Sequence, residues 1–334
     1  MNNKYKKNNL FQFATKELSQ DALICWLINW INYKQENEEL YNKARKLLND
    51  IIIKSKHEIN IEEYKISIFQ QRYNIDILLL LEKNDEKYAI IIEDKKFTTE
   101  NNNQIKKYRE KVKDNCKIPN DKIITVYYKP YEELFEIVSD VKLDREYMLR
   151  EIFNDNIQNK IYLDYKEYLE KIQQVYENLE KIRISEWKYN KEIFYMIAKQ
   201  YNDKVKKQDD KMKVRQVFGS IFIDWYEKTN ISKKYNGFFE KIYLSININY
   251  DRYELRIRGN IKNGNYDADI RAKIENELNV LCNKYGFKTE KFSHKEAKKN
   301  IQFITVNLNE CDTYTELIHK INRLEKLIDE FLND

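Results

Sequence analysis

The chain has 334 residues, 60 of them Lys or Arg and 55 Asp or Glu, for a formal net charge of +5. That balance is too mild to predict nucleic-acid binding by itself, and 42% hydrophobic with 13% aromatic residues excludes a disordered chain. Only 5 Gly and 2 Pro exclude a sandwich or barrel full of tight turns and point to a helix-rich α/β (α+β) protein. The length allows two domains, expected at 1–185 and 186–334. The cysteines (Cys25, Cys116, Cys282, Cys311) are scattered and form no C-x-x-C pair, which excludes a zinc ribbon. Residues 1–9 are polar and basic, without the apolar core of a signal peptide. No apolar run approaches the roughly 20 residues that span a bilayer, so a soluble, cytoplasmic protein with no membrane partner is expected.

A helix is predicted from Thr15, a plausible N-cap, to Asn32. Apart from its first turn it is apolar nearly all round and so should be buried. Glu17 and Asp21, four apart, share one face of it. A second helix, Asn37–Lys54, places Leu40, Tyr41, Ala44, Leu47, Leu48, Ile51 and Ile52 at helical spacing. Alternation over 57–70 reads as a first strand, followed by Gln71 and Arg72. Arg72 is either a phosphate contact or the partner of a nearby acid.

Two apolar runs follow. Residues 73–81 contain Asp76, and 88–95 end in Glu93-Asp94-Lys95. The polar stretch 82–87 between them suits a hairpin turn. Residues two apart on a strand share a face, so Glu93 and Lys95 should point one way and Asp94 the other. An unpaired carboxylate is costly among apolar neighbours. Asp76 therefore needs a partner, either Arg72 or Lys95 in an ion pair, or a divalent metal. Mg²⁺ takes a few carboxylate oxygens, keeps several waters and meets phosphates. Next come a polar loop, a helix from Asn103 to Asp114 with Gln104 and Tyr108 on one face, and a β-branched strand, Lys122–Tyr128.

Asn74-Ile75-Asp76 followed by Glu93-Asp94-Lys95 resembles the signature of the PD-(D/E)XK nuclease superfamily, with Ile75 where that signature often has Pro. Residues 17–27 look like the E-x-x-x-x-x-L-x-x-W-L opening of a bacterial branch of these nucleases. Gln104-Ile105-Lys106-Lys107-Tyr108 matches its Q-x-x-x-Y motif. The order helix, three strands, helix, strand is that of the restriction-endonuclease-like αβββαβ core, a mixed central sheet flanked by helices. The resemblance implies a nuclease dependent on Mg²⁺ or Mn²⁺ that acts on nucleic acid, DNA foremost, with a role in phage defence. Asp76, Glu93 and the Asp94 backbone carbonyl would ligate the metal, and Lys95 would position or activate water. Glu17 would be the auxiliary acid, with Asp21 next in line; the alternative for Glu17 is a first-turn acid that only caps its own helix. Gln104 and Tyr108 would support the site, and Arg72 would bind substrate. The alternative is a catalytically silent nucleic-acid- or protein-binding module with a nuclease-like fold.

Residues 131–185 read as largely helical, interrupted by strand-like Ile161-Tyr162-Leu163, and 186–229 as a long helical region with a charged break at 203–215. That break is a mixed charge run and reads as a solvated face. The last hundred residues form an α+β unit: a hairpin over 238–258, a helix from Ala268 to Tyr285, a strand over 301–306 and a helix from Thr313 to Leu332. His294 and His319 are isolated within it. Substrate recognition, binding of a ligand or partner protein, and homodimerisation all remain open for this unit.

Overall fold

The computed structural model describes residues 8–14, 16–96, 103–134, 136–183, 192–205, 211–217, 220–229, 235, 238–249, 252–261, 267–290, 300–308 and 313–333. The chain divides into two compact units, Met1–Gln174 and Val175–Asp334. The boundary thus falls before the expected position at 185, inside a helix. Among the described residues no helix is long and apolar enough to cross a membrane.

In the first unit, α1 (Glu17–Asn29) buries Leu23, Ile24, Leu27 and Ile28 together with two polar residues, Gln20 and Asp21. It is shorter than predicted, since Trp30–Asn32 tighten into a 3-10 turn. Its N-cap position is Lys16, which makes no side-chain cap; Thr15 lies outside the described residues. The second helix, α2 (Glu38–Lys54), buries the predicted stripe from Leu40 to Ile52. Asn37 caps it, its side-chain oxygen accepting the Leu40 N–H at 2.9 Å. Asn37→Ala removes that acceptor and is expected to cost about 1 kcal/mol, which a denaturant titration of the native and variant proteins would measure.

The first sheet has strands β1 (Lys65–Gln70), β2 (Ile77–Lys83), β3 (Glu86–Asp94), β4 (Ile123–Lys129) and β5 (Val141–Asp144), in that spatial order. β1, β2 and β3 are antiparallel neighbours, while β4 and β5 run parallel to β3, so the sheet is mixed. The helix α3 (Gln104–Cys116) connects β3 to β4. The β2–β3 hairpin turns at Asn84, whose φ of 51° suits an asparagine. α3 packs Tyr108 and Val112 on Ala89 and Ile91 of β3.

Two predictions for residues 131–185 fail. First, the strand β5 is not expected from the sequence. Only Val141 and Leu143 of its four residues point inward, too little alternation to register as a strand. Its end is marked by Asp144, whose carboxylate caps the short turn α4 (Arg145–Tyr147), accepting the Tyr147 N–H at 2.7 Å. Second, Ile161-Tyr162-Leu163 belongs to the helix α5 (Lys160–Glu177) and is not a strand. Tyr162, Tyr165, Leu169 and Ile172 form one buried helical stripe, and Asn159 caps the start by accepting the Ile161 and Tyr162 N–H groups.

The second unit corrects the long helical prediction over 186–229. Only α6 (Glu192–Asn202) is helical there among the described residues. β6 (Lys213–Val217) and β7 (Ser220–Thr229) follow as strands. The spacing of Val217, Ile221, Phe222 and Trp225 satisfies a helical period. Over so short a run, pairing with neighbouring strands decides the outcome. Trp187 and Phe218, and residues 206–210 of the charged break, lie outside the described residues, as does His294.

The remaining elements are β8 (Phe239–Asn249), β9 (Arg252–Ile261), α7 (Ala268–Lys284), β10 (Thr289–Glu290), β11 (Asn300–Asn307) and α8 (Tyr314–Asn333). The six strands form an antiparallel sheet in the order β10-β11-β9-β8-β7-β6. Ile223, Ile246, Leu255 and Val306 lie in one register row of it and are all buried. α8 anchors to the sheet through Glu325, which accepts the Trp225 indole N–H at 2.8 Å.

Candidate active site

The antiparallel register brings the acids together. Ile77 pairs with Ile92, so the next step along the ladder sets Asp76, one residue before β2, opposite Glu93. The Asp94 N–H donates to Asp76 Oδ2 at 3.2 Å. The N–H and C=O of a strand residue leave the same edge, so the Asp94 carbonyl also lies on the Asp76 side. Beyond β3 the chain is held by the Lys95 N–H, which donates to the Tyr128 carbonyl at 3.0 Å.

Alternation along β3 separates the charged side chains. Lys95 Nζ is ion-paired with Glu93 and lies 3.7 Å from Asp76 Oδ2. Asp94 points the other way, to α1, where its carboxylate accepts from the Gln20 amide. The Asp21 carboxylate stands near enough for its charge to act on Asp94. Sequence reasoning assigns Asp94 only its carbonyl and misses Gln20. The signal is the alternation itself, since a carboxylate on the face opposite Glu93 must meet the helix that covers that face.

Asp21 Oδ2 and Asp76 Oδ1 both accept from the Gln71 side-chain amide, at 3.2 and 3.3 Å. Nothing in the sequence pattern marks Gln71 for this contact. Glu17 sits in the first turn of α1, and its carboxylate accepts the Lys96 N–H at 3.0 Å and ties α1 to the segment after Lys95. Gln104 donates to the Tyr108 hydroxyl at 2.6 Å.

Arg72 does not pair with Asp76. Its guanidinium stacks over the Phe69 ring at 4.2 Å and donates to the Tyr73 hydroxyl at 3.2 Å, and a neighbouring aromatic surface outcompetes the acid for it. Of the two ion-pair partners expected for Asp76, Lys95 is the one in place.

The electrostatics follow from too many acids in too little water. Glu93 is fully buried, and both its carboxylate oxygens lack a well-formed hydrogen bond. The Lys95 contact to it is close but poorly directed. Burial, reinforced by the Asp76 charge and opposed by Lys95, pushes Glu93 up to about 8. Burial does the same to Asp21, up to about 6, with the Asp76 charge adding to it. Asp94 is raised well above the usual carboxylate range by burial and by the Asp21 charge. For Lys95, burial works downward, but the close negative charge of Glu93 outweighs it and pushes the ammonium up to about 12. Tyr108 rises to about 12 through burial, with the Glu93 and Asp76 charges contributing.

Every one of these shifts favours holding a proton, as burial and the crowding of acids dictate. Among the described residues no group of three or more His, Cys, Asp or Glu is gathered to hold a metal ion. Mg²⁺ asks for less, since one or two carboxylates suffice beside waters and phosphate oxygens. Asp76, Glu93 and the Asp94 carbonyl are hard oxygen donors, and the under-bonded buried oxygens of Glu93 fit that role.

No protein-family model matches the chain, and no curated protein or solved structure matches it.

Proposed function

We propose that the first unit is a metal-dependent nuclease of the PD-(D/E)XK type that hydrolyses phosphodiester bonds, with DNA as the favoured substrate. The observation that carries this reading is the convergence of Asp76, Glu93 and Lys95 at one strand end. The order α1, α2, β1, β2, β3, α3, β4 supports it, with three antiparallel strands and a parallel fourth. Asp76 and Glu93, with the Asp94 carbonyl, would hold Mg²⁺ or Mn²⁺. Such an ion, when bound, polarises a phosphoryl oxygen and lowers the pKa of a bound water.

The chain's own residues do the rest. Lys95 stands as a cation beside the two acids, where it offsets negative charge growing on the phosphate. With its pKa raised, it donates hydrogen bonds and does not take up a proton. Glu17 fixes the backbone just beyond Lys95. Gln104 orients the Tyr108 hydroxyl, which stays neutral at physiological pH and can donate to an oxygen anion.

Plasmid, linear duplex, single-stranded DNA and RNA incubated with Mg²⁺ or Mn²⁺ test the proposal. Cutting by the native protein that Asp76→Ala reduces at least about a thousandfold is the expected outcome. A native protein that neither cuts nor binds Mn²⁺ in the presence of nucleic acid would sink the enzymatic reading. The second reading is a silent nucleic-acid- or protein-binding module that keeps the same fold. Such a module would retain nucleic acid or a partner without any metal requirement.

A further inference from the structure

The turn between β1 and Asp76 adopts a backbone that its residues resist. Gln71, Tyr73 and Asn74 have φ of 57°, 59° and 57°, three left-handed residues without a glycine among them. Left-handed conformations are unfavourable for glutamine and tyrosine, and such outliers persist where surrounding contacts enforce them. The contacts are specific. The Gln71 N–H donates to the Asp76 carbonyl at 3.0 Å and the Ile75 N–H to the Arg72 carbonyl at 3.1 Å. Lys111 Nζ donates to the Tyr73 carbonyl at 2.9 Å.

This strained backbone aims one side-chain amide. Gln71 Nε2 carries two hydrogens and lies within hydrogen-bond distance of two carboxylates, Asp21 of α1 and Asp76. We infer that Gln71 is a positioning residue, a clamp that fixes the Asp76 carboxylate by its Oδ1 so that Oδ2 is presented toward Glu93, Lys95 and the Asp94 N–H. The inference rests on the nuclease reading and adds to it the atom through which Asp76 acts and the residue that selects that atom. A neutral amide suits the task. It donates to both acids, whereas a carboxylate there would repel them and a lysine would compete with a divalent cation for them. Groups that orient a ligating carboxylate change metal affinity without touching the metal.

Gln71→Gly separates positioning from folding. Glycine takes a φ of 57° at no steric cost, so the variant keeps the turn and loses only the amide. Mn²⁺ binding followed by calorimetry is expected to weaken about 10- to 100-fold, while the melting temperature stays at or above that of the native protein. Gln71→Asn tolerates the left-handed backbone and carries a shorter amide, and it should fall between the two. Cutting by Gln71→Gly should recover at raised Mn²⁺, because the chemical groups are intact. Native-like Mn²⁺ affinity in Gln71→Gly would overturn the clamp and leave the nuclease reading standing. A native protein that neither cuts nor binds Mn²⁺ with nucleic acid present would overturn both.

Discussion

Lys95→Ala is expected to lower metal-dependent cutting by about 10²- to 10⁴-fold while leaving Mn²⁺ binding intact or tighter. Both halves follow from one geometry. The ammonium is paired with Glu93 and lies 3.7 Å from Asp76, so it neutralises the two acids proposed to hold the metal. Removing it takes away a competitor for those oxygens and, with it, the charge that would face the phosphate of the proposed substrate. Stability adds a third readout. Breaking a buried pair costs roughly 3–5 kcal/mol when the remaining charge stays ionised. Glu93 can avoid that cost by taking a proton, so the variant should lose less stability at pH 6 than at pH 9. Thermal melts at the two pH values, with calorimetry and a cleavage assay, would decide it. Loss of Mn²⁺ binding in Lys95→Ala would mean that the lysine organises the acids and does not compete for them.

Glu93→Gln is expected to abolish Mn²⁺-dependent cutting and to flatten the dependence of stability on pH. Glu93 has an ordinary value of 4.5 and is raised to about 8 in the folded protein, mainly by burial. Between those values the folded chain holds a proton that the unfolded chain releases. Stability therefore falls as pH rises through that window. Asp21 acts in the same direction between 3.8 and about 6. The Glu93 contribution is on the order of a few kcal/mol. Native protein should thus melt at a lower temperature at pH 8.5 than at pH 5, and Glu93→Gln should show a smaller drop. Mn²⁺ at pH 8.5 should raise the melting temperature of the native protein, by binding the folded state alone, and leave that of the variant unchanged. A native melting temperature that rises from pH 5 to 8.5 would contradict the raised value for Glu93.

The features readable along the chain are those set by neighbours in sequence. The hairpin joining β2 to β3 is local, so two apolar runs and a polar turn are enough to place Asp76 opposite Glu93. The period of two on a strand is enough to separate Asp94 from Glu93 and Lys95. The capping of α2 by Asn37 and the buried stripe of that helix are equally local. Over 217–226 a short run satisfies two periods at once. Local spacing does not choose between helix and strand there, because the competing strand partner β8 lies elsewhere in the sequence. Ile161-Tyr162-Leu163 is the reverse case: a β-rich triplet whose hydrophobic stripe belongs to a helix extending well past it.

What folding added is the set of distant groups that meet the acids. Gln20 reaches Asp94 across 74 positions of sequence and Gln71 reaches Asp21 across 50. Arg72 turns to Phe69 and away from Asp76. Alternation on β3 turns Asp94 toward a covering helix, but the partner residues themselves depend on how α1 packs over β3 and on a left-handed turn that local propensity disfavours. The raised pKa values belong to the same category. A carboxylate at position 93 is written in the chain, but its need for a proton or a cation arises only when packing removes the water around it.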